Sequence, residues 1–146
     1  MKTIQKNIHI NATPPKVWDV LTQDHYTRRW LSAFSEGSYA TSDWKEGSKI
    51  TFTDTRGNGM VAFIAESRPG KSLIFEYTGH IVDGKEDYDS KQAQTIKGGQ
   101  ERYNITEKEN GSGLEINSDM TEEYYDMMSE SWEKALQLIK QEAERV

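Results

Sequence analysis

One stretch constrains the fold more than any other. From about residue 122 to residue 145 the chain runs without a Gly or Pro. Over that run Tyr125, Met128, Trp132, Ala135, Leu136, Ile139 and Ala143 recur at helical spacing on one face. Charged and amide side chains take most of the other face. Glu122, Glu123 and Asp126 lie in the first turns, where the helix dipole favours negative charge. Asp119 and Thr121 are the candidate caps, and Asp119 with Glu122 has the spacing of a capping box. A helix with a wide apolar stripe that includes a Trp needs a large partner surface. Most of the remaining chain reads as strands, so that surface is expected to be a sheet.

The segments before the helix support this. Residues 3–11 read as a strand with Ile4, Ile8 and Ile10 on one side and Lys6 interrupting the pattern. Thr13-Pro14-Pro15 stops it, with Thr13 a candidate cap and Pro14 at the first position of a short helix carrying Val17, Trp18, Val20 and Leu21. A second short helix is expected from Asp24, including Tyr26, Trp30 and Leu31. A short strand is expected within 36–41, a turn at 42–48, and an alternating strand at 49–54 with Ile50 and Phe52 on one side. A hairpin-like turn at 55–59 precedes the continuous apolar run 60–65, whose inward parity the sequence leaves open. Leu73, Phe75 and Tyr77 alternate on the next strand. Residues 83–100 form a long polar excursion, a length that points to function or mobility, and a lid is one expectation for it. Strands at 100–109 and from Leu114 to Ser118 are joined through Asn110-Gly111-Ser112-Gly113.

The predicted class is α+β. A curved antiparallel sheet of about six or seven strands grips the long C-terminal helix, and two short helices follow the first strand, all within a single domain over 1–146. A chain of this length buries about 68–70% of its unfolded surface and needs no staple. The 15 aromatic residues supply bulk that a hydrophobic fraction of 34% would otherwise lack. There are no cysteines, which excludes disulfides and thiolate chemistry. No signal core and no membrane-spanning run is evident, so a soluble, cytoplasmic location is expected. The net charge of −6, with Arg28-Arg29 as the sole adjacent basic pair, argues against nucleic acid as a partner.

Several of these features together resemble the START-like (SRPBCC, helix-grip) superfamily, in its branch related to the activator of the 90-kDa heat-shock chaperone ATPase. The resemblance rests on Pro14-Pro15-Lys16-Val17-Trp18 after the first strand and on Trp30 closing the second short helix. It rests also on Trp44-Lys45-Glu46-Gly47-Ser48-Lys49, where Ser48 replaces the second Gly of the family's turn, on Gly59 before an apolar strand, and on Ser131-Trp132-Glu133-Lys134-Ala135-Leu136. It spans nearly the whole chain and implies the helix-grip fold. It leaves the activity open, because this scaffold carries lipid carriers, cyclases, hydrolases, hormone receptors and co-chaperones.

Chemistry is sparse. His9, His25 and His80 share no motif spacing, and Asp83, Glu86, Asp87 and Asp89 lack the order of a calcium loop, so no metal is expected. No nucleophile motif or phosphate loop is present, and no cofactor or catalytic residue is assigned. Strand parity directs Asp54 inward with Ile50 and Phe52, and Glu101 inward with Tyr103 and Ile105. His80 shares parity with Glu76 and Thr78 and is expected to face out. The first expectation is a non-enzymatic module holding a small hydrophobic or amphipathic molecule between sheet and helix. Its walls would be Trp30, Phe52, Phe75, Tyr77, Tyr103, Met128, Trp132 and Leu136, with Glu101 and Asp54 as polar groups at the mouth. The alternatives are a protein-interaction or co-chaperone-like module, as the resemblance implies, and a cyclase- or dehydratase-like enzyme. A homodimer is an open expectation because such a sheet has edges to cover.

Overall fold

A computed structural model describes residues 1–145. The order is β1 (Lys2–Ile10), α1 (Pro14–Thr22), α2 (Asp24–Leu31), β2 (Tyr39–Thr41), β3 (Lys49–Thr53), β4 (Gly59–Arg68), β5 (Ser72–Val82), β6 (Lys85–Asp87), α3 (Lys91–Ile96), β7 (Gln100–Lys108), β8 (Gly111–Met120) and, after a 3-10 turn (Glu122–Tyr124), α4 (Tyr125–Glu144). The sheet order is β1-β8-β7-β5-β4-β3-β2, with β6 added to β5. All pairings are antiparallel. The result is the open α+β helix-grip architecture, with eight strands because β6 arises inside the 83–100 excursion.

That excursion is built rather than loose. Strand β6 turns back on β5, α3 follows with Ser90 Oγ accepting the Ala93 N–H at 3.1 Å, and Asp87 Oδ1 accepts the N–H groups of Asp89 and Ser90. Gly98 N–H and Tyr77 C=O then join at 2.9 Å, returning the chain to the sheet. The hairpin between β7 and β8 turns at Glu109 and Asn110, two residues earlier than the Gly-Ser-Gly run suggests, and those glycines already belong to β8.

Helix α4 lays its stripe on the concave face. Trp132, Ala135, Leu136, Ile139 and Ala143 are buried in one core with Ile4, Ile10, Leu114 and Ile116 of the sheet and Val17, Leu21 and Trp30 of the short helices. Thr121 stands at the cap position of the 3-10 turn but makes no side-chain cap bond. Asp119 instead serves the sheet, accepting from Thr3 Oγ1 at 2.8 Å and Gln100 N–H at 2.9 Å. A buried carboxylate ties helix to helix. Both oxygens of Glu142 accept from Arg29 Nη1 at 2.9 Å, joining α4 to α2.

Lys6, which interrupts the apolar pattern of β1, has a structural explanation. It shares the inward parity of Ile4 and Ile8 on an edge strand and reaches Glu133 of α4 at 2.6 Å. An inward-pointing charge on an edge strand opposes edge-to-edge pairing. Gly59, opposite Thr53, is required by space. A Cβ there would sit 1.6 Å from the Phe52 carbonyl oxygen.

Candidate functional site

The concave face holds two cavities between the sheet and the start of α4. The inner one, about 200 Å³, lies under α2 and the segment after it. Of the ten residues expected in a binding site, it is lined by Trp30, Phe52, Asp54, Tyr77, Glu101 and Met128. The other four, Phe75, Tyr103, Trp132 and Leu136, are core and not cavity wall, with exposures of 3% or less. The reason is aromatic packing. Phe75 and Tyr103 meet edge to face at 5.8 Å, Tyr103 and Trp132 at 5.9 Å, and Phe34 covers Trp132 at 4.9 Å. Phe34 thereby takes the wall position expected for Trp132. Leu31, Ser35, Asn58 and Met60 also line the inner cavity and were not anticipated as walls. They sit on α2, on turns, or on a strand of unassigned parity, where periodicity carries no signal.

The polar centre is Glu101. Its Oε1 accepts from the Tyr77 hydroxyl at 2.9 Å and its Oε2 from the Tyr103 hydroxyl at 2.5 Å. Burial pushes the carboxyl above its ordinary value, and the two phenolic hydrogen bonds oppose that shift without cancelling it. Both phenols are driven well above their usual range, first by burial and then by the neighbouring carboxylate, so they remain donors. Asp54 has a different role. Its Oδ1 accepts from Arg56 and Asn58 N–H at 2.9 and 3.0 Å, and its Oδ2 accepts from Ser35 Oγ at 2.8 Å. These bonds, the one from Asn58 foremost, hold it below its ordinary value. Asp54 therefore shapes the turn into β4 while presenting an ionised group to the cavity.

The second cavity, about 440 Å³, opens between α3, the end of β8 and the start of α4. Met60, Tyr77, Glu101 and Met128 line it as well as the inner one, so they form a shared wall. All five methionines of the chain line this second cavity. His80 lines it too, against the expectation that it faces out. Register explains this. Val61 pairs with Gly79 and Ala62 with Tyr77, leaving Thr78 as a bulge, and one extra residue reverses the parity beyond it.

His80 Nε2 lies 2.7 Å from Asp87 Oδ2 and 3.3 Å from Ser90 Oγ. A serine–histidine–aspartate relay needs the two partners on different ring nitrogens. Here both meet Nε2, and Ser90 is already the cap of α3, so the group clasps β6 and α3 to β5. Among the described residues, no group of three or more His, Asp or Glu side chains is placed to hold a metal ion. Among the described residues, no helix is long and apolar enough to cross a membrane.

Three comparisons extend this geometry. A crystal structure of a protein from Mesorhizobium loti matches with a TM-score of 0.79 at 15% identity, over 99% of this chain and 98% of that one. The solution structure of the Aha1 dimer from Colwellia psychrerythraea matches with a TM-score of 0.76 at 18% identity, over 99% and 97%. An AHSA1-like protein from Aeromonas hydrophila matches with a TM-score of 0.72 at 14% identity, over 98% and 92%. Identities this low establish a shared fold alone. No curated protein matches the chain. A model of the family described as activator of Hsp90 ATPase homolog 1-like protein matches residues 11–144, and the chain belongs to that family, within the START-like superfamily.

Proposed function

We propose that this protein is a binding module that holds a small hydrophobic or amphipathic molecule between the sheet and α4. The observation that carries the reading is the inner cavity, an apolar hollow walled by Trp30, Phe52, Tyr77 and Met128 with the half-buried Glu101 carboxyl at its polar end. Apolar walls with a few convergent polar groups and a perturbed carboxyl describe a small-molecule site. The Glu101 oxygens already accept from two hydroxyls, and Asp54 is engaged in its turn, so both are read as groups that orient a ligand rather than carry out turnover. The test is the melting temperature against a mixed library of lipids and aromatic metabolites. Binding molecules should raise it, and Met128→Trp, which fills the shared wall, should abolish the rise. No shift across the library would sink the reading.

A second reading is supported by the surface. Met1, Tyr124 and Met127 are exposed at 62%, 48% and 57%, and all three line the second cavity. Exposed apolar groups gathered at one mouth suit a protein partner, and the family is named for activation of a chaperone ATPase. Stimulation of such an ATPase by this chain, lost in Tyr124→Ser with Met127→Ser, would favour this reading. An unchanged rate would remove it. The Colwellia relative is described as a dimer, and a homodimer is proposed here on the same footing, to be checked by sedimentation.

A further inference from the structure

We propose that the ligand of this site is an apolar cation, an amine or ammonium on an aliphatic or aromatic body, with its charged end at Glu101 between the two cavities. The inference rests on the binding-module reading above and specifies its ligand class.

The argument begins with what lines the space. Across both cavities the ionisable residues are Asp54, Glu101, Asp119, Glu123, His80 and Met1, which carries the terminal amino group, beside the phenols. Neither cavity is lined by a Lys or an Arg, although the chain contains 18 of them. A lining whose four carboxylates outnumber its one terminal amino group disfavours an anionic ligand and attracts a cationic one.

The groups differ in how far they are already neutralised. Asp54 is held by three hydrogen bonds and also feels the positive charge of Arg56. Asp119 has Arg102 at 3.4 Å and is partly compensated. His80 is paired with Asp87. Glu101 has two hydroxyl donors and no cation, and it stands in the wall common to both cavities. It is the group that gains most from a positive partner, because burial currently disfavours its charge.

The terminal amino group of Met1 would favour an anion, as would the start of α4 by its dipole. Its first turns already carry Glu122, Glu123 and Asp126, which satisfy the helix dipole. The walls suit the rest of such a ligand. Methionine side chains are polarisable and adapt to irregular shapes, and the rings of Tyr77 and Tyr124 offer aromatic surface to a cation. Met60 and Met128 divide the two spaces, so a body in the inner cavity and a head at Glu101 occupy both sides of that division.

The five methionines make the test direct. Protein labelled with carbon-13 at the methionine methyl groups is titrated with naphthylmethylamine, naphthylmethanol and naphthoate, which share one ring system and differ in charge. The expected result is a saturable shift of the Met60 and Met128 signals, with the amine binding about tenfold or more tighter than naphthoate, equivalent to about 1.4 kcal/mol. Glu101→Gln should bring the amine down to the affinity of the alcohol while the ligand-free methionine spectrum stays close to that of the parent. Should that variant not fold, the ranking of the three probes on the parent protein decides. Equal binding of all three, or tightest binding of naphthoate, overturns the cation inference and leaves the binding module standing. No methionine shift with any probe overturns both.

Discussion

Glu101 and Asp87 are carboxyl groups displaced in opposite directions, and the displacement has a sign that can be measured. Burial raises the Glu101 carboxyl above its value of 4.5 in an unfolded chain. Between the two values the folded state holds the proton more firmly, so stability falls as pH rises through that window. Asp87 is held well below 3.8, first by hydrogen bonds from Ser90 and then from His80. Its contribution is present above the unfolded value and is lost as pH falls below it. The melting temperature of Glu101→Gln relative to the parent should therefore improve from mildly acid to mildly alkaline buffer. That of Asp87→Asn should hold steady over the same change and improve only as pH falls below 3.8. Thermal denaturation across pH checks both, and differences that do not vary with pH would contradict the assignment. Trp132 illustrates a purely structural residue. It is fully buried, contacts Trp30, Phe34 and Tyr103, and its indole N–H has no hydrogen-bond partner among the described residues. Trp132→Ala should cost about 3–5 kcal/mol in urea denaturation, the usual range for emptying a large aromatic site.

At the scale of elements, the parts with strong periodicity were legible and the irregular ones were not. The α4 stripe could be read because seven positions repeat at helical spacing, and the structure buries five of them and half-buries Tyr125 and Met128. Alternation on β3 and β7 directed Asp54 and Glu101 into the cavity correctly. His80 was misdirected because the Thr78 bulge depends on pairing with β4, which no local pattern encodes. The 83–100 segment hid a strand and a helix because its anchors, Asp87 and Ser90, are polar groups bonding to backbone rather than apolar repeats. The core aromatics were placed on a cavity wall because parity gives the face of a strand and not the depth of a side chain. Two predictions belong here. Gly59→Ala should destabilise the β3–β4 hairpin severely, since the added carbon meets the Phe52 carbonyl, and it should appear as a lowered melting temperature. Lys6→Val removes the inward charge of the edge strand β1 and should raise self-association in sedimentation. An unchanged monomer fraction would show that Lys6 does not guard that edge.

As a whole molecule, the protein divides its concave face into a packed half and a hollow half. The aromatic chain from Phe75 through Tyr103 to Trp132 fills the middle, and the core continues along α4 to Ala143. Both cavities lie toward the start of α4, where methionines replace the branched aliphatic residues. The packed core and the proposed binding region thus lie toward different ends of one helix. The central claim is that this hollow end is a ligand site, and native mass spectrometry of the protein after exposure to the mixed library tests it most directly. The account predicts a saturable adduct of one small molecule per chain that disappears when Met128→Trp fills the shared wall. A bare mass throughout, or an adduct indifferent to that substitution, would contradict it.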